Sequence, residues 1–279
     1  MIAAKEYSLA VCIPVWNRGD LFRASYASLL RQLDGIQTAI WIFDNGSDQP
    51  TRDFINGLNS AEHRLFKIFL PQNMGLPFVT NIFSQIVTHN CDYAGYQAPT
   101  HLMLADADAY FKKPVHEMIE ILEGYDLAIV SGHDSIEHGS TAQLAHPAPD
   151  GTTTVNLKSI ERGLCLIMRK ETLAACVPLP HHTNMNVDWE LTHWHPSSIS
   201  ARGGRVGAVD YVAHIGLYDS TWHSTGVPAH HAEVAEINEI LEREGLLSPE
   251  RRARMELFCE EGLRPEYKHQ FRRADARRW

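Results

Sequence analysis

The 279-residue chain has few cysteines, no long apolar run and no excess of positive charge. Its five cysteines are an odd number without a C-x-x-C pair, which argues against a disulfide framework and a zinc site and predicts buried thiols in a reducing compartment. No apolar run approaches the roughly 20 residues that a transmembrane helix needs. The formal net charge of -9 argues against sequence-independent binding to nucleic acid. We therefore expect a cytoplasmic protein whose N-terminal segment is its first strand and not a signal peptide.

Short apolar segments alternate with longer amphipathic segments over the first 132 residues. Strands are predicted over residues 8–16, 38–44, 64–70, 100–106 and 126–132, and helices over residues 18–33, 51–58, 76–89 and 114–125. This alternation predicts an α/β fold with a largely parallel sheet that helices cover on both faces. We expect the polar stretch 134–160 to be a long loop or a small excursion over the site, and the chain from Pro228 onward to be helical with a break near Ser248 and Pro249.

Polar residues follow each of the first four predicted strands. They are Asn17 and Arg18, the stretch 44–48, the stretch 72–75, and Asp106 with Asp108. Because ligands bind beyond the carboxyl ends of parallel strands, these residues predict a ligand site at one edge of the sheet. For each strand end taken alone, ordinary turn chemistry is the alternative explanation, since Asn, Asp and Gly are common turn residues.

The stretch "LADAD" places two carboxylates, Asp106 and Asp108, directly after an apolar strand. If the chain is extended here, residues i and i+2 point to the same side of the strand. Two like charges held close together need relief, which either a divalent cation or exposure to solvent would provide.

Together these segments resemble the family 2 glycosyltransferases with the GT-A fold, in the family's order over residues 9–224. "CIPVWNRGDLFRASYASLLRQ" is similar to I-P-x-Y-N-R followed by S-L-x-x-Q, and "IFDNGSDQPT" is similar to D-D-G-S-x-D-x-T. "NMGLPFVTN" resembles N-x-G-x-x-x-x-x-N, "LADADAYFKKP" carries D-x-D, and "VDWEL" resembles E-D-x-D-L. Three positions depart from the family pattern: Asn45, Val187 and Thr80 stand where Asp, Glu and Arg are usual.

The resemblance implies a GT-A domain over residues 1–226, with a mixed, mostly parallel sheet flanked by helices. Residues 227–279 would form a C-terminal helical extension with a basic tail. The implied activity is metal-dependent transfer of a sugar, a hexosyl or related group, from a nucleotide sugar, expected to be UDP-linked, to an acceptor hydroxyl. The implied cofactor is Mn²⁺ or Mg²⁺, which as a Lewis acid offsets the charge of the departing diphosphate.

The resemblance also assigns roles to individual donor-binding residues. Asp44 would accept the N–H of the uracil ring. Residues 14–17 would line the nucleoside pocket, and the residues expected to touch the donor are Pro14, Val15, Asn17, Asn73, Gly75, Asp106 and Ala107.

For the metal, the resemblance implies direct coordination by Asp108, with Asp106 facing the donor ribose or sugar and helping to hold the ion. His214 is the candidate third ligand, and a neutral imidazole suits Mn²⁺ better than Mg²⁺. A buried or capping histidine is the alternative for His214.

An inverting transfer needs a base near the acceptor hydroxyl, on the side opposite the leaving group. By resemblance Asp188 is that base, and Glu190 is the second choice. The structural alternative for Asp188 is a helix N-cap.

Two other functions stay open at this point. A nucleotidyltransferase could use a similar sheet, although "PVWNRGD" is not the Gly-rich loop that holds a triphosphate. A catalytically inactive module that binds a glycan or a nucleotide is the other. The acceptor is not identified by the sequence. The basic, aromatic tail could contact anionic lipid headgroups at a membrane surface, a nucleic-acid acceptor or a second subunit, or it could be a frayed terminus.

Overall fold

The computed structural model describes residues 8–89, 98–134, 144–148, 151–158, 164–180, 187–216 and 230–253. The chain divides into two units, Met1–Val212 and Ala213–Trp279. The predicted division between residues 226 and 227 stays a prediction, because residues 217–229 lie outside the described part.

The first half of unit 1 alternates strands and helices, and the nine predicted elements agree with the structure to within three residues at either end. The elements are β1 (Ser8–Val15), α1 (Gly19–Gln32), β2 (Gln37–Asp44), α2 (Gln49–Gly57), β3 (Arg64–Phe69), α3 (Leu76–His89), β4 (His101–Ala105), β5 (Ala109–Phe111), α4 (Val115–Gly124) and β6 (Ile129–Ser131). The short strand β5 is the element that the sequence patterns did not predict.

Apart from the last helix, the later elements have five residues or fewer. They are β7 (Leu144–Pro147), β8 (Thr154–Lys158), β9 (Cys165–Arg169), α5 (Lys170–Ala174), α6 (Val187–Trp189), a π-helical turn (Glu190–Trp194), a 3-10 turn (Ser200–Arg202), β10 (Val206–Ala208), β11 (Val212–His214) and α7 (His230–Arg243). The prediction that residues 134–160 form one long loop is wrong, because β7 and β8 lie within it and join the main sheet. Val155 and Leu157 are buried while their neighbours are polar, so a two-residue alternation was hidden by flanking Pro, Gly and Thr.

Nine strands form the main sheet in the order β3-β2-β1-β4-β9-β6-β10-β8-β7. The strands β3, β2, β1 and β4 are parallel to one another, and β10 is parallel to β6. The strands β9 and β8 are antiparallel to their neighbours, so seven of the nine strands point the same way. The prediction of a mixed, mostly parallel sheet is confirmed.

The sheet is buried on both faces because β1 sends alternate residues into two apolar clusters. Leu9 and Val11 pack in one cluster with Phe22 of α1, and Ala10 packs in the other with Phe83 of α3. This burial fixes the register of β1, since a slip of one residue would exchange the two faces.

In unit 2, the helix α7 buries Val234, Ile237, Ile240 and Leu241 along one face. The helix ends before Gly245, which adopts a left-handed φ of 68°, and helical structure resumes after Ser248, so the predicted break is confirmed. The basic tail, residues 254–279, lies outside the described residues. No helix in the described ranges is both long enough and apolar enough to cross a membrane.

Candidate active site

The four parallel strands β1 to β4 end at one edge of the sheet. Val15, Asp44 and Phe69 are paired side by side at the ends of β1, β2 and β3. Each strand end is followed by the polar residues that the sequence places there, so their predicted convergence on one edge is confirmed.

The turn after β1 holds two consecutive residues in the left-handed region, Asn17 with a φ of 59° and Arg18 with a φ of 57°. Such a conformation costs about 1–3 kcal/mol for each residue other than glycine. The Asn17 N–H donates to Ser47 Oγ at 2.9 Å, and Asn17 Oδ1 accepts from the Asp48 N–H at 2.8 Å. These hydrogen bonds hold the turn against the loop that follows β2.

Asp44 is fully buried at the end of β2. Its Oδ1 accepts a hydrogen bond from the Ser47 N–H at 3.0 Å. Its Oδ2 lies 3.4 Å from Arg52 Nε, an ion pair without hydrogen-bond geometry, and accepts no hydrogen bond from the described residues. A buried carboxylate oxygen without a donor is uncommon and marks a position where a ligand donor would be stabilising. That the donor is a uracil N–H stays a prediction.

The loops after β2 and β3 are interlocked by Asn45. Its Nδ2 donates to Asn73 Oδ1 at 2.9 Å, and its Oδ1 accepts from the Met74 N–H at 2.8 Å. Asn73 Oδ1 also accepts from the Gly75 N–H at 2.9 Å. Gly46, with a φ of 77°, lies so close to the second loop that a Cβ would stand 2.4 Å from Gln72 Cα. The positions of Asn73 and Gly75 therefore depend on an amide at residue 45.

The chain turns directly after β4, because the Ala109 N–H donates to the Asp106 carbonyl at 3.2 Å. Residues 106–108 are therefore not extended, so the condition under which the two carboxylates would point to the same side of a strand is not met, and they belong to a β-turn. Asp108 is 8% exposed, and its Oδ2 accepts from Arg18 Nη1 at 3.0 Å. In this structure an arginine provides an opposite charge beside one of the two carboxylates, that of Asp108.

Described cysteines near this edge are buried, free thiols, as the sequence predicts. Burial raises the pKa of the Cys165 thiol well above its usual value, and the charge of Asp106 raises that pKa further. Burial alone raises the pKa of the Cys12 thiol. Both thiols are therefore neutral at pH 7 and poor nucleophiles.

A cavity of about 70 Å³ opens at the same edge of the sheet. It is lined by Cys12, Pro14, Leu76, Thr80, Leu104, Ala105, Asp106, Leu166, Val187 and Asp188. The cavity thus brings together two predicted donor-binding residues, Pro14 of β1 and Asp106 of the turn after β4, and the predicted base, Asp188. Two of the three departures from the family pattern, Thr80 and Val187, are part of its wall.

Asp188 and Glu190 take different positions. The helix α6 begins at Val187, so Asp188 lies within the first turn and is not an N-cap. The Asp188 side chain is half-buried and lines the cavity, whereas Glu190 is 5% exposed and lies outside the cavity lining. Glu190 begins a π-helical turn, a feature that is frequent near functional sites. The geometry favours Asp188 over Glu190, and its role as base stays a prediction.

The described residues contain no set of three or more His, Cys, Asp or Glu side chains arranged to hold a metal ion. Asp108 nevertheless already faces a cation, the Arg18 guanidinium, and carboxylate oxygens are the ligands that Mg²⁺ and Mn²⁺ prefer. The donor set therefore fits a divalent ion that takes further ligands from a bound diphosphate. His214 is half-buried at the end of β11 in unit 2, and its role as third ligand stays a prediction.

Three contacts at this edge were not predicted from the sequence: Arg18 with Asp108, Arg52 with Asp44, and Ser47 with Asn17. Each joins residues at least eight positions apart. The presence of Arg18 at a strand end was visible in the sequence, but its partner 90 residues away was not.

The sequence matches the model of "Glycosyl transferase family 2" over residues 10–165, more than half of the chain. No curated protein matches it. One similar solved structure is the mannosyltransferase PcManGT from Pyrobaculum calidifontis in complex with GDP-Man and Mn²⁺, at 13% identity and a TM-score of 0.53. The match covers 99% of this chain and 82% of that one.

A second similar structure is S. aureus TarS 1-349 in complex with UDP, at 13% identity and a TM-score of 0.50. The match covers 95% of this chain and 78% of that one. At these identities the two similar structures support the fold alone. It is the GT-A fold, with a mixed sheet and flanking helices. The family match covers β1 to β8 and the polar strand ends described above, and the chain belongs to glycosyl transferase family 2, a family of glycosyltransferase enzymes.

Proposed function

We propose that this enzyme transfers a sugar from a nucleotide sugar to an acceptor hydroxyl at the edge of the sheet where β1 to β4 end. The observation that carries the proposal is the shared cavity: Asp106, expected at the donor, and Asp188, expected at the acceptor, line the same space. A transfer reaction needs both functions within reach of one anomeric carbon.

The donor is proposed to be UDP-linked. Asp44 has a buried Oδ2 that accepts no hydrogen bond from the described residues, which suits the ring N–H of uracil. Asn73 and Gly75 are held beside Asp44 by the Asn45 hydrogen bonds, which supports their contact with the nucleotide. Pro14, Val15 and Asn17 would line the nucleoside pocket from β1. Of the two similar structures, one contains GDP-Man and the other UDP.

Asp108 and Asp106, with Ala107 between them, are proposed to hold Mn²⁺ or Mg²⁺ together with the diphosphate, and His214 is the proposed third protein ligand. Such an ion neutralises the negative charge that develops on the diphosphate as it leaves. Coordination by these residues requires Asp108 to be ionised, which the Arg18 contact at 3.0 Å supports.

Asp188 is proposed as the general base of an inverting transfer, with Glu190 as the second choice. The acceptor oxygen would bond to the anomeric carbon while the bond from that carbon to the diphosphate oxygen breaks, and the acceptor proton would pass to the Asp188 carboxylate. The same cavity wall includes the apolar side chains of Leu76, Leu104 and Leu166, which would limit the access of water to this carboxylate once substrates are bound.

The test is release of nucleoside diphosphate from a panel of nucleotide sugars, with Mn²⁺ and a panel of sugar acceptors. Asp188→Asn should lower the rate by roughly 10²–10⁴-fold, the usual contribution of a general base. Asp34→Asn, an exposed carboxylate before β2, is the matched control and should leave the rate unchanged. Equal rates for the two variants would contradict the role of Asp188. Release of pyrophosphate from a mixture of a nucleoside triphosphate and a sugar phosphate would instead favour a nucleotidyltransferase.

A further inference from the structure

The Arg18–Asp108 ion pair occupies the carboxylate that the donor site is expected to use. Arg18 Nη1 lies 3.0 Å from Asp108 Oδ2, with the Asp108 side chain 11% exposed and the Arg18 side chain 34% exposed. Because the Asp108 carboxylate is largely buried, water screens this ion pair less than it screens a pair between two exposed side chains. A metal ion that coordinates Asp108 must therefore displace or share this guanidinium.

The backbone at Arg18 is held in a conformation that the residue does not favour. Asn17 and Arg18 are consecutive non-glycine residues with left-handed φ, and Asn17 is fixed by hydrogen bonds to Ser47 and Asp48. Strain of this kind persists only where the surrounding structure imposes it, and it is concentrated at functional sites. The strained turn orients α1 and places Arg18 beside the turn after β4.

The site lacks the positive charge that the family pattern usually places at residue 80. Thr80, where the family pattern usually has an arginine, lines the cavity together with Asp106 and Asp188. The diphosphate carries two negative charges in the nucleotide sugar and gains a further one as the sugar–phosphate bond breaks, so one divalent ion does not neutralise all of the charge on the departing group. Arginine is well suited to the remainder, since its planar guanidinium can donate two hydrogen bonds to phosphate oxygens.

We propose that Arg18 is a donor-positioning residue that exchanges partners: it pairs with Asp108 when the site holds no metal, and with the donor's diphosphate when metal and nucleotide are bound. This inference rests on the proposed function. The exchange would affect the affinities for the metal ion and for the nucleotide in opposite directions. In the absence of nucleotide Arg18 opposes binding of the metal, and in the presence of the metal it favours binding of the nucleotide.

Isothermal titration of the full chain with Mn²⁺ alone, and then with UDP at saturating Mn²⁺, measures both effects. Arg18→Met removes the charge but keeps the length of the side chain. We expect it to bind Mn²⁺ alone roughly threefold or more tightly than wild type, and UDP roughly tenfold more weakly. Arg23→Met, on the helix α1 that follows Arg18, is the matched control and should change neither affinity; the Arg23 guanidinium lies 4.7 Å from the centroid of the Phe54 ring.

If Arg18 only stabilised the fold, its loss would not change the two affinities in opposite directions, because partial unfolding weakens the binding of both Mn²⁺ and UDP. Arg18→Lys, which keeps the charge, should bind Mn²⁺ like wild type and lose less UDP affinity than Arg18→Met. It also keeps the inference testable if Arg18→Met does not fold. Mn²⁺ affinity that is unchanged or weaker in Arg18→Met, or unchanged UDP affinity, would overturn the proposal.

Failure of this inference and failure of the proposed function give different results. Asp108→Asn should abolish Mn²⁺ binding. If wild type binds Mn²⁺ through Asp108 and Arg18→Met binds it equally well, only the exchange is wrong. If wild type binds no Mn²⁺ with or without UDP, the metal role is wrong and the exchange is overturned with it.

Discussion

Asn45 Nδ2 donates a hydrogen bond to Asn73 Oδ1 at 2.9 Å, across the gap between the loops after β2 and β3. An aspartate, the residue usual in the family pattern, has no donor for this contact. Asn45 is 2% exposed, so the departure serves the internal architecture of the site and need not signal a loss of catalysis.

Asn45→Asp should therefore destabilise the protein and weaken UDP binding. The change removes a buried hydrogen bond and places a carboxylate beside the fully buried Asp44, which should cost roughly 1–3 kcal/mol in the free energy of unfolding. Urea unfolding at pH 7 measures this cost. Asn59→Asp, the same change at an exposed loop residue, should stay close to wild type. Equal stability of the two variants would show that the amide is not needed.

Gly46→Ala should be more damaging than Gly35→Ala. Both glycines have a left-handed φ, 77° and 73°, so both substitutions incur backbone strain of about 1–2 kcal/mol. An added Cβ at Gly46 would lie 2.4 Å from Gln72 Cα, whereas nothing lies within 4 Å of one at Gly35. We expect urea unfolding to show a loss at least about 1 kcal/mol larger for Gly46→Ala, with UDP binding lost only in that variant. Similar losses of stability in Gly46→Ala and Gly35→Ala would mean that the loops after β2 and β3 move apart to accommodate the added Cβ.

The pH dependence of stability should involve Glu123. Burial raises the pKa of Glu123, but hydrogen bonds from Arg169 and His101 lower it more, so the net pKa lies below its ordinary value. A lowered pKa in the folded state means that the stabilisation is present above the unfolded pKa and is lost as the pH falls through the folded value.

Glu123→Gln should accordingly be less stable than wild type at pH 7, and the difference should shrink as the pH falls below about 4. Thermal unfolding across pH 3–7 measures it, and Glu120→Gln, exposed on the same helix, is the control. Because His101 opens β4 at the opposite end from the candidate site, UDP affinity should not change. A pH-independent difference would contradict the ionic role.

Native Cys12 and Cys165 should resist alkylation by iodoacetamide at pH 8. Burial raises the pKa of both thiols, so thiolate is scarce, and the side chains are inaccessible. Mass spectrometry of native and urea-unfolded samples would detect labelling, which we expect in the unfolded sample alone. Rapid labelling of Cys165 in the folded protein would contradict its place beneath the turn that holds Asp106.

The sequence predicts β1 to β4 and the helices between them because short apolar runs and helical periodicity are local properties. It also places the polar residues at the strand ends. The strands β7 and β8 were missed because each is short and shows only two or three alternating positions. The turn at Asp106 was not predicted, because its hydrogen bond to Ala109 leaves no mark in the amino-acid composition.

Contacts across the sheet edge could not be predicted at all. The pairing of Arg18 with Asp108 depends on the order of the strands, which brings residues 90 positions apart together. In the same way, the choice between Asp188 and Glu190 needed the start of α6 and the cavity lining, and a spacing of two residues alone could not decide it.

The most direct test of this account is a crystal structure of the enzyme with UDP and Mn²⁺, with anomalous data collected to locate manganese. We expect an anomalous peak in direct contact with the Asp108 carboxylate, the uracil ring N–H donating to Asp44, and the Arg18 guanidinium moved from Asp108 to the diphosphate. Well-ordered UDP with no manganese beside Asp108, or UDP bound away from the ends of β1 to β4, would contradict it.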